Sequence, residues 1–288
     1  MPQPSRKPKM AISTGIELPW HFEAFRRYEA YEAMQPAASV LALFEGEALD
    51  HNNPRMSEML SLLQVRTKLE WLPERNNSEE INFNTEGDIF RNKGRLLTSL
   101  LITEPKINQG DKLKLLEFGR QLGLGLVTRE DYYSFLIKNY KFPHPAFADN
   151  WEKWIAAKRE YRPFVDLLKI MIELFEIEED PSLSSDEIAR FIYPSSENCN
   201  EREKAKNIGE YRKAKSAPKR ERSDEVDRKI ADMLGFLCIS GICFYKGSSA
   251  HLNLVGVHPV EKTFFWHKRS TREGGEANRL DEIKILIS

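Results

Sequence analysis

The order of elements between Pro163 and Val257 constrains the fold more than any other feature. PFVDLLKIMIELF is an apolar helix opened by Pro163. Proline is tolerated there because the first helical N–H has no intrahelical partner. A loop with five carboxylates between Glu173 and Asp180 follows. SSDEIARFI is a short helix with Ser184 and Glu187 placed as a capping box. The spacing predicts a long, polar, basic helix from Glu201 to Lys215 and a further helix from Asp224 to Leu234. LCISGICFYKGSSAHLNLVGV reads as two strands around a turn from Lys246 to Ser249. Helix, short helix, polar helix and hairpin, in that order, are the parts of a winged helix-turn-helix domain. The helix from Asp224 is an addition to the minimal version.

Upstream, residues 1–18 read as a loose, basic, proline-rich tail with no apolar core, which excludes a secretory signal. PWHFEAFRRYEAYEAM has helical spacing, with Pro36 as its expected stop. Pro54 opens PRMSEMLSLLQVRTKLEW. The helical period breaks over LPERNNSEEINFNTEGD, where short strands flank an Asn76-Asn77 turn, and resumes from Phe90 to Leu101. Asp111 to Leu122 and Thr128 to Tyr140 read as two short helices separated at Gly123 and Gly125. Thr128 is the expected N-cap, with Asp131 three residues on. The two prolines of KFPHPAFADNW exclude a helix and predict a buried, aromatic-rich connection. The C-terminal LDEIKILI follows a Gly-Gly joint and reads as a docking strand or helix.

The chain has 288 residues and a formal net charge of -1. There is no global polyanion-binding signature, so nucleic-acid affinity must come from local segregation of charge. No apolar run reaches the roughly eighteen residues of a membrane span. Cys199, Cys238 and Cys243 form no CxxC and read as reduced thiols of a cytoplasmic protein. The six histidines are scattered, so no metal ligand set is expected. No internal repeat is visible in the residues.

Two clusters of cations stand out. Between Lys204 and Arg222 there are eight Lys or Arg against Glu210 and Glu221. Such a run neutralises phosphates and releases counterions. An arginine can also fork onto a guanine edge. A solvated helix face followed by a Ser-Ala-Pro linker would carry the same charge. Position decides, because the run falls where a helix-turn-helix places its reading helix. The expected contacts are Arg202, Lys204, Lys206, Arg212, Lys213, Lys215, Lys219, Arg220 and Arg222, with Lys246 touching backbone from the wing. The second cluster is Arg91, Lys93 and Arg95 at a helix start, where backbone N–H groups favour phosphate. An amphipathic helix with a polar side is the alternative there.

Two other constellations weigh less. Glu282 and Lys284 form an E-x-K, with Glu261 as a conceivable upstream acid for a Mg²⁺-dependent nuclease, but acid-x-Lys triplets are common. Phe142, His144, Phe147, Trp151 and Trp154 could stack on bases, though large aromatics usually bury in a joint between domains.

The segment from Val127 to Lys262, just under half of the chain, resembles the DNA-recognition region of AlwI-like type IIS restriction and nicking endonucleases. DYYSFLIKNYKFPHPAF looks like their helix ending in an aromatic-Pro segment. RPFVDLLKIMIEL looks like their Pro-opened helix, and LSSDEIARFI like their L-S-x-x-E-I-A helix. A basic helix and the closing hairpin LCISGICFYKGSSAHLNL follow in the same order. In that family the recognition part is a pair of winged-helix domains followed by a nuclease domain with a PD-(D/E)xK site. This chain ends where that nuclease domain would begin.

The resulting expectation is a mainly α protein with minor β content, built of tandem winged helix-turn-helix-like domains with short hairpins. Residues 1–18 form a tail and 19–105 an N-terminal helical domain, with a winged helix as one reading of it. Residues 106–160 form a helical connector, 161–269 a winged-helix DNA-binding domain and 270–288 a linker or docking segment. The expected partner is double-stranded DNA, read on behalf of a prokaryotic restriction-modification or phage-defence system. A nuclease subunit or a second copy is the expected protein partner. No cofactor is expected in this chain, and Mg²⁺ only with an associated nuclease. A complete Mg²⁺-dependent endonuclease and a non-catalytic winged-helix adaptor or transcriptional regulator are the alternatives.

Overall fold

The computed structural model describes residues 22, 29–50, 52–71, 92–105, 111–142, 144, 146, 160–192, 200–214, 220, 223–254 and 272–288. These residues are mainly helical, with one small antiparallel sheet and a few isolated bridges.

The first unit contains α1 (Tyr31–Leu43), α2 (Pro54–Thr67) and α3 (Asn92–Ser99). Pro36 does not stop α1 but lies inside it. It sits in the second turn, where it removes a single ladder bond. Ala37, Ala38, Val40 and Leu41 behind it are buried and hold the helix in place. Asn53 caps α2 by accepting from the Arg55 N–H, with Pro54 at the first position. Residues 111–116 are extended, not helical as the spacing suggested. Leu113 and Leu115 are buried while Lys112 and Lys114 are exposed, a period of two. This segment pairs on both sides, with Ala48 opposite Lys112 and Thr103 opposite Leu115. The Leu113 N–H donates to the Glu47 carbonyl at 2.8 Å, and the Leu116 N–H to the Ile102 carbonyl at 2.9 Å. Then α4 (Glu117–Gly123) packs back on α1. A Cβ at Gly119 would stand 2.2 Å from the Ile102 carbonyl oxygen, so only glycine admits this approach.

α5 (Arg129–Asn139) starts at the Thr128 cap, whose hydroxyl accepts from the Asp131 N–H. The second unit then runs α6 (Pro163–Glu178), β1 (Ser182–Ser184) and a short α7 (Ser185–Glu187) prolonged by a π-helical turn from Ile188 to Ile192. The expected capping box of Ser184 and Glu187 is formed. α8 (Glu201–Lys213) lies along α6, and α9 (Asp224–Ile239) leads into β2 (Cys243–Lys246) and β3 (Ser249–Leu252). α9 outlasts its expected end at Leu234, so Cys238 belongs to the helix and only Cys243 to a strand. The sheet order is β1-β3-β2. Finally, α10 (Arg272–Ile287) docks on α6 and α5.

The two units share a topology. Among the described residues of each, a helix leads to an extended segment, a side-chain-capped helix and, after α8 in the second unit, a helix that turns directly into a hairpin whose second arm lies between the other two extended segments. The helix-to-hairpin junction is the same in detail. The Leu100 N–H reaches the Leu96 carbonyl, as the Ser240 N–H reaches that of Phe236. A left-handed residue follows, Leu101 at φ 57° and Gly241 at φ 81°. Next comes an isoleucine, Ile102 or Ile242, whose carbonyl accepts from the hairpin's returning arm. The described residues thus repeat one winged-helix-like arrangement, with the second hairpin tighter than the first.

Aromatic rings join the units. Phe22 meets Tyr140, Phe164 and Phe236 at 5.3, 5.2 and 4.7 Å between centroids, and Tyr133 meets Phe236 at 5.6 Å. Phe142 and His144 belong to the same buried joint, as expected, while Phe147, Trp151 and Trp154 lie outside the described residues. Burial pushes the His144 imidazole down to about 4, so it is neutral and stacks on Tyr140. Arg129 adds a polar tie, pairing with Glu32 at 2.9 Å and donating to the Ile239 carbonyl at 3.5 Å.

Candidate nucleic-acid interface

In a winged helix the helix that enters the hairpin is the one placed to read a groove. That position belongs to α3 in the first unit and to α9 in the second. The basic α8 is a further helix inserted before α9.

Lys93 and Arg95 of the first cluster therefore lie on the helix in that position. Arg95 is exposed on α3, and Lys93 is in its first turn, though the Lys93 side chain and Arg91 lie outside the described residues. The adjoining hairpin adds two cations that the sequence reading left out. Lys112 is exposed with no ion pair among the described residues, and Lys114 is exposed with a 3.5 Å pair to Glu104. The helical misreading of residues 111–116 concealed them. The alternation Lys-Leu-Lys-Leu was the signal that would have found them.

The second cluster separates into two groups. Arg212 and Arg220 face their own protein. The Arg212 guanidinium donates to Glu187 at 2.6 Å, Asp180 at 3.2 Å and the Ser182 carbonyl at 2.7 Å. It ties α8 to β1 and α7, and Glu187 beneath it is buried. Arg220 pairs with Asp227 on α9 and with Asp186 at 3.3 Å. Asp186 also accepts from Arg190 at 2.6 Å and from the Tyr211 hydroxyl at 2.8 Å. Burial raises the Asp186 carboxyl, but these donors outweigh it and hold it below the usual carboxylate value. Lys204 is buried at 8% exposure, where its charge acts on Asp166.

The remaining cations face outward. Arg202, Lys206 and Lys213 share one stripe of α8 by their spacing. Lys206 is exposed with no ion pair among the described residues. Arg202 has only a 3.8 Å contact to Glu173, and Lys213 pairs with Glu178 at 2.7 Å while 69% of its side chain stays exposed. Exposed pairs of this kind contribute roughly 0–1 kcal/mol, so a phosphate can displace them. Lys246 is exposed at the tip of the second hairpin. Lys215, Lys219 and Arg222 lie outside the described residues.

The E-x-K pair is committed to ion pairs, Glu282 with Arg279 at 3.0 Å and Lys284 with Glu176 at 2.8 Å. Glu261 lies outside the described residues, and no group of metal-ligating side chains occurs among those described. Burial pushes the Cys238 thiol up to about 12 and raises Cys243 well above its usual value, so neither is a thiolate near neutral pH. No described helix is long and apolar enough to cross a membrane.

No protein-family model matches the chain, and no curated protein matches it. A solved structure does: the binding domain of the BpuJ1 endonuclease, crystallised in complex with pyrene- and phenanthrene-modified DNA. The TM-score is 0.56 at 11% sequence identity, over 93% of this chain and 95% of that one. The chain shares the fold of that binding domain along nearly its whole length.

Proposed function

We propose that this protein recognises double-stranded DNA for a restriction or phage-defence system, with strand cleavage supplied by a nuclease carried elsewhere. The observation that carries this reading is the repeated winged helix with exposed cations at both hairpins, in a fold shared with an endonuclease binding domain. The resemblance to AlwI-like recognition regions supports the same class. Arg91, Lys93 and Arg95 contact DNA from the first unit. Arg202, Lys206, Lys213, Lys215, Lys219, Arg222 and Lys246 supply phosphate contacts from the second. Lys204, Arg212 and Arg220 act one step back, holding the scaffold that presents them. Duplex binding followed by fluorescence anisotropy across a salt titration tests the proposal. The unaltered chain should bind more weakly as salt rises, and Lys93→Ala with Arg95→Ala should weaken binding and flatten the slope by about one unit per lost phosphate contact. Binding that is absent at low salt, or unchanged in the double variant, sinks it.

A further inference from the structure

The exposed face of α9 runs through Asp224, Arg228 and Ala231. Counting back from the shared junction, Gly235 takes the place that Arg95 takes on α3, and Ala231 and Arg228 continue that face along the longer helix. Arg228 is the exposed arginine of α9, and no hydrogen bond or ion pair holds it among the described residues. Two of the carboxylates beside it are held by other cations, while Asp224 lies one turn before it on the same exposed face. Glu225 pairs with Lys229 at 2.7 Å, and Asp227 pairs with Arg220. The helix therefore presents one guanidinium that is uncommitted among the described residues, flanked by Glu225 and Asp227, whose charges are answered by Lys229 and Arg220. Ala231 has a short side chain and Gly235 has open space around its Cβ position, so no described side chain at these two positions obstructs the approach of a groove.

We propose that Arg228 is a specificity-determining residue of the second unit, forking onto the O6 and N7 of a guanine in the major groove. Arginine suits this role because its planar guanidinium matches two acceptors at once, which a lysine ammonium cannot do. The phosphate-neutralising cations of α8 then supply affinity, and α9 supplies sequence discrimination. This inference rests on the DNA-recognition reading, but its failure looks different.

The experiment is selection of bound duplexes from a random-sequence library, using the full chain and its Arg228→Ala, Arg228→Lys and Lys206→Ala variants. Circular dichroism checks that each variant is folded. The unaltered chain should select a motif containing a fixed G·C pair. Arg228→Ala should lose preference at that pair by roughly 10- to 100-fold and keep the rest of the motif. Arg228→Lys should recover little of it, and Lys206→Ala should weaken binding to all duplexes alike. An unchanged motif in Arg228→Ala, or full recovery by lysine, overturns the assignment and leaves DNA recognition standing. Failure of the unaltered chain to retain any duplex overturns both.

Discussion

Arg212 illustrates how a cation read as a DNA contact can be spent inside the protein. It is the partner of Glu187, a nearly buried carboxylate that also closes the α7 capping box. Arg212→Ala leaves that charge uncompensated and should destabilise the protein by about 3–5 kcal/mol, which calorimetric melting will show. Asp166 acts in the opposite sense. Burial, reinforced by Glu201, raises its carboxyl from 3.8 to about 6. The folded state then binds a proton more tightly than the unfolded chain, so this group's contribution is most favourable below about pH 4 and is lost as pH rises through about 6. Asp166→Asn should raise stability by roughly 1–2 kcal/mol at pH 8 and change it little at pH 4, measured by denaturant titration at both values.

At the level of elements, the left-handed residues at helix ends are the informative positions. Glu179 follows α6 at φ 56° and is exposed. Glu179→Gly should stabilise by about 0.5–1 kcal/mol, because glycine adopts that conformation without a Cβ penalty. Gly119→Ala should do the reverse, lowering the melting temperature by forcing α4 off the hairpin backbone. These ends also show what was legible in the residues. Pro54, Thr128, Pro163 and the Ser184/Glu187 box were readable because a cap is a local bargain between neighbouring atoms. The extended segment at 111–116 was not, because its period of two is short and one of its two partners, 46–49, lies far away in sequence. The repeat was hidden for a related reason. Leu101 and Gly241 do the same job with different residues, and only the backbone shows the equivalence. The candidate interface was half legible: positive charge is visible in the sequence, but whether it is already answered by a carboxylate is not, as Arg212 and Arg220 show.

For the whole molecule, the joint built on Phe22, Tyr140, Phe164 and Phe236 matters most. Such an interlocked contact should make the two units unfold together. Phe236→Ala should cost about 3–5 kcal/mol. It should also split a single thermal transition into two, a result that differential scanning calorimetry separates from uniform weakening. The same joint sets a ruler. Two reading heads on a flexible tether would follow their half-contacts when the spacing between them changed. Heads fused through a shared core cannot. Under the proposed function, one base pair inserted between the stretches they touch would turn the far stretch by about 34° and shift it by about 3.4 Å, carrying its bases out of reach all at once. If the proposed DNA recognition holds, a duplex lying across both units would be measured for length as well as for sequence, with no residue devoted to measuring it.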